Sequence, residues 1–243
     1  MSYVTGDLRD QLANLGRSVV RAGLVVGSGG NVSARVPDTE ECWVSASGAW
    51  LDCLGRTSFT RIRLSDRIRN GAALDGHSAF DGHSASDRHS ALDGYSPGAS
   101  GAGAGAPGPA PTSELAVHLA AYLARPDARV VVHLHPQTVL LIEAIGEQIM
   151  LATTDHRFYL GTVGMVPYHP PGSTALADAV AAVAGTGCNA MVLARHGCVV
   201  LADTVELAHK RVLYLEEAAQ FSYRALAIGR VVPDFPTRSP ASA

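Results

Sequence analysis

Arg129-Val-Val-Val-His-Leu-His135 carries three consecutive valines and then two histidines one position apart. The apolar run reads as a buried strand. Because side chains alternate across a strand, His133 and His135 leave it on the same side. Outward from this strand, the chain alternates helical and extended patterns, as one α/β domain does. Leu8, Leu12, Leu15 and Val19 fall at helical spacing, and Gly23 with the Gly27-Ser-Gly-Gly30 cluster stops that helix. Val32, Ala34 and Val36 alternate as a strand, and Cys42-Trp-Val44 reads as the next. Thr112 is placed to cap a helix that ends before Pro126, with Glu114 in its first turn. Further on, the pattern predicts helices over 139–145 and 175–184, strands over 191–194 and 198–201, and a long helix from Thr204 to Ile228 capped by Gly229.

The 243 residues are 47% apolar and 17% charged, enough to bury one substantial core. A net charge of -3 supplies no field for holding nucleic acid, so no nucleic-acid partner is expected. No apolar run reaches the roughly 18 to 20 residues of a membrane span. The start, Met1-Ser-Tyr-Val-Thr-Gly-Asp7, lacks the basic-then-apolar order of an export signal, so no membrane partner and a cytoplasmic location are expected. Cys42, Cys53, Cys188 and Cys198 form no Cys-x-x-Cys pair and are expected to be free thiols.

Composition changes abruptly near Gly71. Asp75, Asp81, Asp87 and Asp93 each begin a hexapeptide of the Asp-Gly-His-Ser-Ala kind, and a Gly/Ala/Pro-rich run follows to Pro111. Such repeats cannot build a solenoid core, so residues 70–111 read as a low-complexity disordered insertion. Its His77, His83 and His89 offer at most loose metal binding. Residues 1–69 and 112–230 then form the single domain, and 231–243 is a flexible tail.

Chemistry concentrates at the strand ends. His196 follows the second apolar strand directly, and Gly197 lets the backbone pass close beneath a site. Three neutral imidazoles that leave a coordination position open suit a catalytic zinc, although a lone core histidine is more often structural. His-x-His also occurs in metallo-β-lactamase-like hydrolases, where an Asp follows two residues later. Here the continuation is His135-Pro-Gln137. Glu114 reads either as an acid/base beside the metal or as a carboxylate favoured by the helix N-terminus, and His118, one turn on, as a packed or outer residue rather than a ligand. The Gly27–Arg35 turn fits neither of the usual nucleotide-binding glycine patterns.

Taken in order, Gly27-Ser-Gly-Gly-Asn31, Ser45-Ala-Ser-Gly48, Thr112-Ser-Glu114, His133-Leu-His135 and His196-Gly197 resemble the class II aldolase/adducin family, and within it the fuculose-phosphate aldolase type. Glu114 precedes His133 by 19 positions and His135 precedes His196 by 61, spacings similar to that type. The resemblance implies a three-layer α/β/α fold with a central mixed, largely antiparallel sheet. It also implies a Zn²⁺ on His133, His135 and His196, with Glu114 as acid/base and metal neighbour. Ser28, Asn31, Ser47, Gly48, Thr112 and Ser113 would surround the phosphate of a small phosphorylated sugar-like substrate. The implied reaction is cleavage of a ketose 1-phosphate to dihydroxyacetone phosphate and an aldehyde, in a homotetramer with intersubunit active sites.

Two departures accompany the resemblance. Thr112-Ser113 stands where the family commonly has Ser-Ser. The segment that would bring a tyrosine to the aldehyde oxygen reads Thr153-Thr-Asp-His-Arg-Phe-Tyr159, with a threonine near the expected position, so Tyr159, His156 or Asp155 takes that role or the reaction differs, or the three simply pack. The same scaffold hosts epimerases, a dehydratase and a decarboxylase of sugar-phosphate-like substrates, the last needing a cation such as Arg157 or Arg195. It also hosts the non-catalytic adducins, a reading that predicts lost metal ligands.

Overall fold

The computed structural model describes residues 6–65, 108–230, 232 and 235. Among the described residues six α-helices and seven strands follow in order: α1 (Leu8–Arg21), β1 (Asn31–Arg35), β2 (Glu41–Ser45), β3 (Phe59–Arg63), α2 (Leu115–Ala124), β4 (Val130–Leu134), α3 (Gln137–Ala144), α4 (Thr154–Leu160), β5 (Val163–Val166), α5 (Thr174–Gly185), β6 (Ala190–Leu193), β7 (Gly197–Ala202) and α6 (Val205–Ala227). The strands form one sheet in the order β3-β2-β1-β4-β7-β6-β5. Every neighbouring pair is antiparallel except β5 and β6, which run parallel and are joined through α5. The sheet is thus mixed and largely antiparallel, as expected.

Period-two alternation divides the core into two layers. Val130, Val132 and Leu134 of β4 join Val32, Ala34, Cys198 and Val200 in packing against α1, α3 and α6. Val131, Val199 and Leu201 face the other way, onto Leu119 and Tyr122 of α2 and Leu176 and Val180 of α5. Because both faces are covered, β4 and β7 are buried along their whole length, which is why their sequences are apolar runs rather than alternations. Each buried valine or leucine in such layers contributes about 1.5–3 kcal/mol over leaving it exposed.

The register gathers the chemistry at one end of the sheet. Asn31 begins β1 opposite His133, near the end of β4, while Gly197 begins β7 beside the end of β6. The start of α2 reaches the same end through an isolated bridge between Ala46 and Pro111 and a hydrogen bond from the Thr112 N–H to the Ser45 carbonyl at 3.1 Å.

Several sequence expectations need adjustment. Thr112 does not cap α2. The helix begins at Leu115 with Glu114 at the N-cap position, and Thr112 Oγ1 only accepts from the Glu114 N–H at 3.3 Å. Residues 108–111, assigned to the insertion on composition, lie against the sheet: the Pro109 carbonyl accepts from the Thr60 hydroxyl of β3 and the Ala110 carbonyl from the Ser47 N–H just after β2, at 2.9 Å. The rest of the 70–111 segment, most of the 231–243 tail, and His77, His83 and His89 lie outside the described residues. β3, α4 and β5 carry sequence signals too weak to predict them. Among the described residues no helix is long and apolar enough to cross a membrane. None of the four cysteines forms a disulfide, and of them only Cys53 is exposed.

Candidate metal centre and active site

Four side chains from three places in the chain converge at this end of the sheet. His133 projects from β4 on the α2 face, its ring fixed by donation from Nδ1–H to the Cys198 carbonyl of β7 at 2.9 Å. His135 lies just before α3, whose first turn has no side-chain cap from its own residues. Glu216 of α6 supplies one, accepting from the Thr138 hydroxyl and, at 3.2 Å, from the Val139 N–H. His196 sits in the β6–β7 turn, where Arg195 adopts a φ of 57° and its N–H is held by the Glu143 carboxylate at 3.0 Å. Glu114 stands at the α2 N-cap position without a capping bond, because its carboxylate turns to the histidines instead.

Close backbone approach makes this packing possible. A Cβ on Gly197 would lie 2.4 Å from the Leu134 carbonyl oxygen, 2.6 Å from His135 Cδ2 and 3.1 Å from His133 Cε1. Gly197→Ala is therefore expected to destabilise the fold by about 1–3 kcal/mol, the usual range for overpacking, and to displace both histidines. Denaturant unfolding with a metal-content assay on the same sample checks this; unchanged stability and metal content would contradict it.

Glu114 Oε2 lies 2.9 Å from His133 Nε2, and Oε1 lies 3.1 Å from His196 Nε2. His135 Nε2 lies 2.9 Å from His133 Nε2. One ligand atom from each of the four residues falls within 4.8 Å of the others. With Nδ1 of His133 donating, Nε2 is the nitrogen turned to the cluster. There it faces a carboxylate oxygen and a second ring nitrogen, an arrangement that is favourable only with a proton or a cation between these atoms. Glu114 Oε1 and His196 Nδ1 are also buried with no hydrogen-bond partner among the described residues, an expense a polar group bears only when something else satisfies it. Three imidazole nitrogens and one carboxylate oxygen suit a divalent first-row cation, so the residues present fit a metal.

Charge states agree with that role. Burial raises the Glu114 pKa, but the facing His133 and His196 outweigh it and hold the carboxyl well below the usual range. Burial, helped by His133 and His196, pushes His135 down to about 4, so its ring is neutral and available as a ligand. Burial lifts the Cys198 thiol to about 12, which removes it as a competing thiolate.

Behind the cluster lies a buried polar network. Asn31 Nδ2–H donates to Glu114 Oε2 at 3.0 Å, and His118 meets Asn31 Oδ1 through Nε2. His118 Nδ1 lies 2.7 Å from Ser33 Oγ, which lies 2.8 Å from the Tyr122 hydroxyl. His118 is thus an outer residue and not one of the converging ligand atoms. Burial, then the neighbouring His133, pushes its pKa down to about 3. The unfolded chain takes up this proton near pH 6.5 and the folded chain only near 3, so the unfolded state binds more protons between these values. Stability of the metal-free protein is accordingly full above about pH 6.5 and falls as pH drops toward 3, by up to about 1.4 kcal/mol per pH unit from this residue. Denaturant titrations at pH 7, 6 and 5 should show that slope in the wild type and a shallower one in His118→Phe; equal slopes would contradict the assignment.

The remaining sequence candidates divide. Ser47, Gly48, Thr112 and Ser113 meet where the Ala46–Pro111 bridge joins β2 to the start of α2, with Ser47, Gly48 and Ser113 exposed. Ser28 is exposed in the turn before β1. Asn31, expected among the phosphate residues, is 6% exposed and already bonded to Glu114 and His118. It retains one amide hydrogen for a substrate. His156 is not among the converging residues: it is fully buried between the rings of Tyr214 and Phe221, with Glu217 at 3.6 Å. Tyr159 stacks on Tyr214 at 4.6 Å between ring centroids. Arg157 faces the Phe235 ring in a groove between α3, α4 and β5 that none of the four converging residues lines. Sequence reasoning passed over Ser33 and Tyr122, although Ser33 lies two residues from Asn31 on a strand and Tyr122 four from His118 on a helix, spacings that place each pair on one face.

Residues 10–223 match the family model for the Class II Aldolase and Adducin N-terminal domain. The chain is 30% identical over 122 residues to an L-fuculose phosphate aldolase of Methanococcus vannielii, covering 49% of this chain and 65% of that protein, just under two thirds of its length. It is 26% identical over 220 residues to a 3-oxo-tetronate 4-phosphate decarboxylase of Haemophilus influenzae, covering 88% and 86%. Among solved structures it is similar to YgbL of Klebsiella pneumoniae, with a TM-score of 0.68 and 25% identity over 90% of this chain and 89% of that one.

Proposed function

Since the chain belongs to the class II aldolase and adducin family, we propose that it is a zinc-dependent carbon–carbon lyase, cleaving a ketose 1-phosphate of the fuculose 1-phosphate kind to dihydroxyacetone phosphate and an aldehyde. The observation that carries this reading is the convergence of Glu114, His133, His135 and His196. A non-catalytic, adducin-like role predicts loss of these donors, and all four are in place.

Bound there, a divalent cation supplies Lewis acidity at the substrate carbonyl oxygen, where negative charge develops. The chain's own residues do the rest. His133, His135 and His196 hold the ion as neutral imidazoles. Glu114, ionised and braced by Asn31, handles the proton at the carbon next to the carbonyl. In cleavage that carbon gains a proton as its carbon–carbon bond breaks, balanced by the proton lost from the hydroxyl that becomes the aldehyde, and in condensation Glu114 removes it. Ser28, Asn31, Ser47, Gly48, Thr112 and Ser113 bind the phosphate at the open end of the sheet. In a homotetramer each site lies at a subunit boundary, where a partner subunit's segment completes it; the exposed face around Tyr159 is the part of α4 available for that.

Decarboxylation of a phosphorylated 3-oxo acid is the second reading. The observation behind it is the decarboxylase relative, 26% identical over 88% of this chain. Arg195, next to His196 with a side chain 64% exposed, is the cation for the departing carboxylate. Incubating zinc-loaded protein with a panel of ketose 1-phosphates and phosphorylated 3-oxo acids, with products read by NMR, separates the two. Dihydroxyacetone phosphate with an aldehyde supports the first reading, and CO₂ release the second. No turnover of either class would contradict both.

A further inference from the structure

We propose that Tyr122, Ser33, His118 and Asn31 form a one-way chain of hydrogen bonds that orients the Glu114 carboxylate at the metal site. The proposal rests on the lyase reading for its consequence but not for its geometry.

The direction of each bond follows from the one before. An ionised carboxylate only accepts, so Asn31 must present its amide N–H to Glu114 Oε2, as it does at 3.0 Å. Asn31 Oδ1 then points at His118 and can only accept, which puts the ring hydrogen of His118 on Nε2. In a neutral ring Nδ1 is then an acceptor, so the Ser33 hydroxyl 2.7 Å away donates to it. With its hydrogen spent, Ser33 Oγ accepts from the Tyr122 hydroxyl at 2.8 Å. From Ser33 to Glu114 each bonding hydrogen has one place to be, while the Tyr122 hydroxyl also has the Arg129 carbonyl within reach at 3.4 Å.

The network is also closed to water. Ser33 and His118 are fully buried and Tyr122 is 1% exposed, so a misdirected donor has no solvent to turn to. Glu114, His118 and Tyr122 are spaced four residues apart at the start and along α2, while Asn31 and Ser33 share one face of β1. The chain thus pins the helix that carries the acid/base to the strand beside His133. His118 holds the other end of the amide: its Nε2–H anchors Asn31 Oδ1, and without it Asn31 is held only at Glu114 and can tilt, taking the carboxylate with it. None of Ser33, His118 and Tyr122 lies among the converging ligand atoms, so they are positioning residues.

The test compares His118→Phe, which removes both ring hydrogen-bonding atoms, with His118→Gln, which retains a donor and an acceptor. Zinc affinity is measured by competition with a chromogenic chelator, and kcat and KM on the substrate that turns over. In His118→Phe the zinc dissociation constant should rise and kcat should fall, each by about 10- to 100-fold, with KM within about threefold, as for other residues that orient a metal site from outside it. His118→Gln should recover most of both losses. Histidine ring ¹⁵N shifts in the wild type should place the His118 hydrogen on Nε2. A folded His118→Phe with wild-type zinc affinity, a His118→Gln as impaired as the phenylalanine variant, or a hydrogen on Nδ1 would each overturn the proposal. The zinc titration and the nitrogen shifts need no substrate, so failure of the lyase reading would appear separately, as absence of turnover with the relay intact.

Discussion

Replacing Glu114 by glutamine is expected to lower turnover by at least about a hundredfold, the low end for loss of a group that moves a proton in the transition state. The fold should survive, because glutamine matches the shape of glutamate and its carbonyl can still accept from Asn31. The negative charge would be gone. A neutral amide cannot take a proton from carbon, and its NH₂ group would face His196 at the position where Oε1 now lies 3.1 Å from Nε2. Much of the metal affinity should remain, since three imidazoles are untouched. Steady-state kinetics beside circular dichroism and metal content checks the three expectations together. Near-normal turnover would return Glu114 to the role of a carboxylate favoured by the start of a helix.

The second large effect is expected for His133→Ala. His133 is the centre of the cluster, with Glu114 and His135 each 2.9 Å from its Nε2 and the His196 ring 4.8 Å away between centroids. Even residues that only orient metal ligands change affinity by about 10- to 100-fold, so loss of a ligand should exceed about a hundredfold and abolish activity at ordinary metal concentrations. His196→Ala should behave similarly, while His135→Ala should leave the braced His133–Glu114–His196 part in place and lose less. Metal content after dialysis against chelator distinguishes them. Full retention by either of the first two variants would mean that the ion, if bound, sits elsewhere.

Much of this site was legible in the sequence because its residues sit where local rules are strongest. The pair His133 and His135 needs only the period of a strand, and His196-Gly197 only the end of another apolar run. The core strands β4 and β7 announced themselves because both faces are buried. β3, by contrast, is a five-residue edge strand in which exposed Arg61 and Arg63 alternate with Thr60 and Ile62, and β5 is a four-residue edge strand interrupted by Gly164, so neither stands out. α4 is a seven-residue helix of mixed polar and aromatic residues, and its burial of His156 depends on α6, more than fifty residues away. The start of α2 was placed too early because Thr112 has capping chemistry, whereas tertiary contact with the histidines decides where Glu114 turns. The Asn31–His118–Ser33–Tyr122 chain joins residues up to 91 positions apart, and only the pairing of β1 beside β4 brings them together.

The most direct test of the account is X-ray absorption at the zinc edge on wild-type protein loaded to one ion per chain. The account predicts a first shell of nitrogen and oxygen with three imidazole ligands and no sulfur, and loss of the imidazole signal in His133→Ala. A shell containing sulfur, or one with fewer than two imidazoles, would contradict the claim that Glu114, His133, His135 and His196 form the metal centre.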